Sequence, residues 1–175
     1  MKKILIFVAM MATLLLAGCK GTSEFNRALN EDYEAVMAEY PEALLYEVQT
    51  QFNDNFTTRD RKGLHVVTAR EVFQVKDTLV MFIDRNLDEG TKITSLENGA
   101  WLEDVKFGVK ELKDVNEALD AMFKSDIIVP DSNLMTLRKP LGPTIYAFPF
   151  YIFGGSREGK YVAVDAHTLE VQEFE

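Results

Sequence analysis

The sequence predicts an α+β fold made of two tandem units, each a helix followed by an open antiparallel sheet that carries the helix on one face. Two internal matches predict it. The segment Glu34-Ala35-Val36-Met37-Ala38-Glu39-Tyr40 matches Glu117-Ala118-Leu119-Asp120-Ala121-Met122-Phe123, and residues 89–102 can be laid over residues 158–171 with one gap. The helix pair is offset by 83 positions and the strand pair by 69, so the second unit is shorter by 14, most simply by lacking an insertion at residues 53–62. Recurring pieces in the same order are the signature of a duplicated supersecondary unit.

Before the first unit stands a different kind of segment. Lys2 and Lys3 precede thirteen uncharged residues, Ile4 to Leu16, broken only by Thr13. That layout is a secretory signal, and it is too short for a spanning helix. It ends Leu16-Ala17-Gly18-Cys19, which resembles the lipobox of bacterial lipoproteins. The resemblance implies that residues 1–18 are removed and that the Cys19 thiol carries a diacylglycerol, with a further acyl chain on its amine. Two or more buried chains attach a protein stably to a membrane surface, each methylene contributing about 0.8 kcal/mol. Lys20 follows the cysteine, and the resemblance then implies the outer membrane, facing either the periplasm or the outside. Residues 19–26 read as a polar tether, 27–109 as the first unit and 110–175 as the second.

Within the first unit, Leu29, Tyr33, Val36, Met37 and Tyr40 recur at helical spacing and predict one buried stripe. Pro41 ends that helix or opens a turn. Residues 43–52 suit either structure, since Leu44, Tyr46, Val48 and Phe52 alternate while Leu44, Leu45, Val48 and Phe52 also lie on one helical face. Strands are predicted at Leu64–Val75, Thr78–Asp84, Thr91–Leu96 and Trp101–Val109 from β-branched and aromatic content with period-two stretches. In the second unit Val115, Ala118, Leu119, Met122 and Phe123 form the helical stripe. Its strands are predicted at Leu134–Leu137, Thr144–Phe153, Lys160–Ala166 and Leu169–Phe174.

Composition narrows the chemistry. The chain carries 19 basic and 28 acidic residues, a net charge of -9, and loss of Lys2 and Lys3 takes the mature domain to -11. That sign opposes nucleic acid and anionic head groups, which need clustered Lys and Arg. The basic run Arg59-Asp60-Arg61-Lys62 reads as a solvated loop. One cysteine leaves no disulfide and no cysteine-based metal site. His65 and His167 stand in no metal-ligand spacing. Residues 154–160 satisfy Gly-x-x-x-x-Gly-Lys, yet Tyr161 stands where Ser or Thr would hold magnesium, and a strand follows instead of a helix. Residues 84–90 imitate the start of a calcium loop, with Gly90 one place late and Ser95 in place of the bidentate Glu. Both loops occupy equivalent turns of the two units, where Gly, Asn and Asp serve positive φ and local hydrogen bonds. No residue set for nucleophilic or general acid–base catalysis stands out, because acidic pairs are numerous and none can be singled out by sequence.

A helix ending Val36-x-x-x-Tyr40-Pro41, strands and the closing Val164-Asp165-Ala166-His167-Thr168-Leu169-Glu170-Val171 together resemble PepSY-type domains, whose ending reads Val-Asp-Ala-x-Thr-Gly-Glu-Val. Leu169 replaces the glycine, so a turn relying on positive φ is expected to be rebuilt as another type. The resemblance implies a layout similar to the tandem β-lactamase inhibitor protein, with no catalytic residues or cofactor, and a role in binding or modulating an envelope protein or peptide. Thr144 to Phe153 is apolar at both parities, so its aromatics pack against the other unit or meet a partner. Tyr146, Phe148, Phe150 and Tyr151 are the candidate partner-binding residues, and Pro149 suggests an edge strand open to strand addition. The alternative function is a small-ligand or glycan receptor, in which Trp101 and these aromatics stack on sugar rings.

Overall fold

The computed structural model describes residues 22–58, 63–76, 78–97, 106–127, 129–140, 147–154 and 161–174. The export signal, Cys19, Arg59 to Lys62, Trp101, Tyr146 and the 155–160 part of the glycine-rich loop lie outside the described residues.

Helix α1 (Glu24–Glu39) begins where Ser23 caps it, the Ser23 hydroxyl accepting from the Asn26 amide at 3.2 Å. It therefore starts inside the expected 19–26 tether, and Asn26 is already buried. Leu29 and Val36 of the predicted stripe are buried, and Tyr33, Met37 and Tyr40 pack on the same core. The Tyr40 amide closes the last turn on the Val36 carbonyl, and Pro41 has no N–H with which to continue. The undecided segment becomes strand β1 (Leu44–Phe52). Then come β2 (Val66–Lys76), β3 (Leu79–Asn86) and β4 (Gly90–Glu97). Helix α2 (Val115–Lys124) opens with a complete capping box between Asp114 and Glu117. It is followed by β5 (Leu134–Arg138), β6 (Phe150–Phe153), β7 (Tyr161–Asp165) and β8 (Val171–Phe174).

The eight strands form one antiparallel sheet in the order β4-β3-β2-β1-β5-β6-β7-β8. Each helix is thus followed by a four-strand meander, and the meanders meet where β1 pairs with β5 over Glu47–Arg138 to Gln51–Leu134. Both helices contribute to a single core on one face, with Leu45, Val48, Phe73 and Ile83 from one side and Leu137, Tyr151, Val162 and Val164 from the other. Among the described residues no helix is long and apolar enough to cross a membrane.

Two expected strands are cut short. The described part of 101–109 forms a single bridge, Phe107 to Leu45, because β5 already occupies that flank of β1 from Glu47 onward. The strand expected over 144–153 begins only at Phe150, directly after Pro149, which has no amide for a ladder. Nor is it an edge: β6 pairs with β5 and β7, and the edges are β4 and β8.

Candidate functional site

The register aligns one row of side chains across the whole sheet on the helix-bearing face: Ile93, Ile83, Glu71, Val48, Leu137, Tyr151, Val164 and Val171. Glu71 is the carboxylate in this otherwise apolar row, and only 2% of it is exposed. Opposite it, α1 brings Asp32, fully buried on the same stripe as Leu29 and Val36. From the neighbouring strand β3 Arg85 reaches over, its Nε donating to Asp32 Oδ2 at 2.7 Å and its Nη2 donating to the same oxygen. Arg85 Nη1 also donates to Thr91 at 3.2 Å.

The charges do not cancel by simple pairing. Asp32 Oδ1 and Glu71 Oε2 are buried and accept from no N–H group. Burial holds both carboxyls above the usual carboxylate range, and the neighbouring Asp32 charge raises Glu71 well above it, whereas Arg85 holds Asp32 down. The two carboxyls hydrogen-bond each other. Two acids in contact hold one proton between them, because both cannot ionise in a low-dielectric site. Glu71 is held further above its usual range than Asp32, and Arg85 lies against Asp32.

Glu71 and Arg85 also line a cavity of about 410 Å³ between α1, the start of β2 and the β3–β4 turn. Its other walls include Phe25, Ala28, Phe52, Leu64 and Val115, with His65 and Glu24 at the polar margin. Sequence reasoning missed this cluster. The signal was present in the parity of the strand: Ala69, Phe73 and Val75 point to the core, and Glu71 shares their parity. Likewise Asp32 lies three residues after Leu29 and four before Val36.

The aromatic candidates are placed differently from the expectation. Phe150 and Tyr151 are buried and offer no surface to a partner. Tyr151 belongs to a network with α1: its hydroxyl donates to the Lys113 carbonyl at 2.7 Å and accepts from Asn26 Nδ2 at 3.1 Å. Burial keeps this phenol protonated well above its ordinary range. Phe148 is 44% exposed and stacks on the His167 ring at 4.2 Å. The apolar second parity of this segment is spent on the interior, as Phe150 joins Tyr46, Val72, Val80 and Ala163 in burial on the opposite parity of the sheet.

That opposite face is polar toward β4. Thr136, Gln49, Arg70, Asp84 and Lys92 form a cross-strand row, with Arg70 Nε bound to Asp84 Oδ1 at 2.6 Å and its guanidinium over the Phe82 ring. A shallow groove of about 560 Å³ follows this row and includes the exposed Leu134. In the β3–β4 turn, Asn86 Oδ1 accepts from the amides of Asp88 and Glu89, and Gly90 has φ +82°. The oxygen that imitates a calcium ligand is therefore engaged by the turn itself.

The closing motif corrects one expectation. Leu169 has φ +64°, so the turn keeps its left-handed residue although glycine is replaced. Asp165 holds it: its Oδ1 accepts from the amides of His167 and Thr168 at 2.8 Å each, and its carbonyl accepts from Leu169.

No family model and no curated protein matches the chain. A solved structure of a candidate lipoprotein from Clostridium difficile 630 resembles it with a TM-score of 0.49 and 12% sequence identity, over 83% of this chain and 92% of that one.

Proposed function

We propose that the chain is a non-catalytic lipoprotein of the cell envelope, tethered to the outer membrane through lipid on Cys19, that binds an extended protein or peptide segment along its sheet. The observation that carries the binding half is the edge strand β4, which among the described residues is bonded to β3 alone and stands beside the polar groove of Gln49, Arg70, Asp84 and Lys92. A free edge supplies backbone donors and acceptors in register, and the adjoining side chains select the partner. Exposed Leu96 and Leu87, at 51% and 58%, give the same edge apolar contacts. The anchoring half rests on the Leu16-Ala17-Gly18-Cys19 pattern and the signal before it. We read the two helix-plus-meander halves as a PepSY-like tandem pair, in keeping with the matched segments at 34–40 and 117–123.

The test is photocrosslinking in cells from probes placed at Leu96 on β4 and at Glu173 on β8. One protein partner captured from Leu96, lost with Thr94→Pro and absent from Glu173, is the expected result. Equal labelling from both edges, or labelling that survives the proline, overturns the sheet-edge reading. The anchor is tested separately by Cys19→Ala, which is expected to leave the membrane fraction.

A further inference from the structure

The side chains of β4 say which segment its edge can accept. On the face away from the helices Lys92 lies opposite Asp84, Thr94 opposite Phe82 and Leu96 opposite Val80, while Ile93 lies opposite Ile83 on the helix-bearing face. The other edge strand, β8, pairs over four residues against eight for β4, and short edges resist strand addition.

Lys92 is exposed and forms no ion pair among the described residues. Its cross-strand neighbour Asp84 is taken by Arg70, accepting from Nε at 2.6 Å with one carboxyl oxygen and from Nη2 at 3.3 Å with the other. The described lining of the polar groove holds Arg70, Arg85 and Lys92 against Asp84 and Glu89, a local excess of positive charge in a chain whose net charge is -9. A lysine on an edge opposes strand addition by most segments, since a neutral one strips water from the ammonium and a basic one repels it. An acid directly opposite turns that cost into a charge pair, so the same residue rejects and selects.

Apolar contacts fix the rest of the register. Leu96 is 51% exposed beside buried Val80, and half-buried Ile93 ends the apolar row that runs through Ile83 into the core. A strand added alongside covers both. Each ladder of the sheet is antiparallel, the more stable pairing per residue, so a strand that continues the sheet runs from Leu96 toward Lys92.

We propose that β4 selects an extended segment with an acidic residue opposite Lys92 and apolar residues opposite Ile93 and Leu96. Read from its N-terminus, the segment is apolar at its first position, apolar at its fourth and Asp or Glu at its fifth. The inference rests on the sheet-edge reading and names the kind of segment that edge takes.

A library of twelve-residue peptides displayed on phage, panned on the purified protein and in parallel on its Lys92→Glu variant, tests this. The wild type should enrich the pattern with the acid, and Lys92→Glu should enrich Lys or Arg at the fifth position. An enriched peptide made synthetically should bind about fivefold more weakly when its acid is replaced by Lys, and Lys92→Glu should recover that loss. Hydrogen exchange of the complex should show slowed amides within Gly90–Glu97. Peptides that slow these amides with no charge preference, or with one that Lys92→Glu does not reverse, overturn this inference and leave the sheet-edge reading standing. Binding that leaves the β4 amides unchanged overturns both, and no enrichment on the wild type overturns the inference.

Discussion

Glu71 acts on stability through its proton. Its folded-state value lies well above the ordinary 4.5 that it has in an unfolded chain. Above about pH 4.5 the unfolded chain releases this proton while the native pair retains it, so the native state binds more protons and stability falls as pH rises. The contribution is whole below that pH and is lost as pH climbs through the folded-state value, with a slope of at most about 1.4 kcal/mol per pH unit for one proton. Glu71→Gln keeps a donor toward Asp32 and cannot ionise. Urea denaturation between about pH 5 and 8 should show wild-type stability declining and the variant nearly flat, the variant being the more stable by about 1–3 kcal/mol at the upper end. A wild-type curve as flat as that of Glu71→Gln would show that the carboxyl is already ionised in the native state. The residue was legible as an inward position from the parity of Ala69, Phe73 and Val75, but the partner was not, because Asp32 lies on another element and only the packing of α1 on β2 brings them together.

At the scale of elements, the turn between β7 and β8 shows what a motif specifies and what it leaves to the fold. Asp165 makes the side-chain bonds that shape the turn, and it is present in the sequence pattern. Glycine is not required, because the strain of a left-handed leucine, about 1–2 kcal/mol, is offset by the apolar contact Leu169 makes with the core. Leu169→Gly removes strain and contact together and should change stability by less than about 1 kcal/mol. Leu169→Ile keeps the apolar area but adds a β-branch in the left-handed region, and should cost about 1 kcal/mol or more. Thermal melts of the two variants check this; a glycine variant less stable than the isoleucine one would mean that packing, not φ, governs the position. Both helices were legible from their stripes, and most strands from alternation. The strands at 101–109 and 144–153 were overextended because periodicity does not register that β5 takes the flank of β1 or that Pro149 delays β6.

For the whole molecule, the internal matches suggest two separable units, while the packing makes one. The sheet runs unbroken through the β1–β5 ladder, and Thr50 adds a side-chain bond to the Met135 carbonyl at 2.9 Å. Phe56 stands between Phe52 and Phe153, edge-on to each at 5.3 and 5.2 Å, so the aromatic cluster crosses the same seam. Asn26 on α1 accepts from the Val115 amide at 2.8 Å and donates to Tyr151, joining the first helix to the start of the second and to β6. The first half alone would expose one flank of β1, and leave the buried Nδ2 of Asn26 without its acceptors Lys113 and Tyr151, a cost of about 1–3 kcal/mol per unsatisfied group. The second half alone would leave Leu137 and Phe153 without their neighbours and Asp114 without Ser23. The intact chain should therefore unfold in one transition, with circular dichroism and amide hydrogen exchange coincident. Fragments 22–109 and 110–175 should each lack protected amides when made separately. A fragment that alone retains slow-exchanging amides in its strands would show that the meanders are independent folding units, and that the seam between β1 and β5 is a docking contact between finished domains.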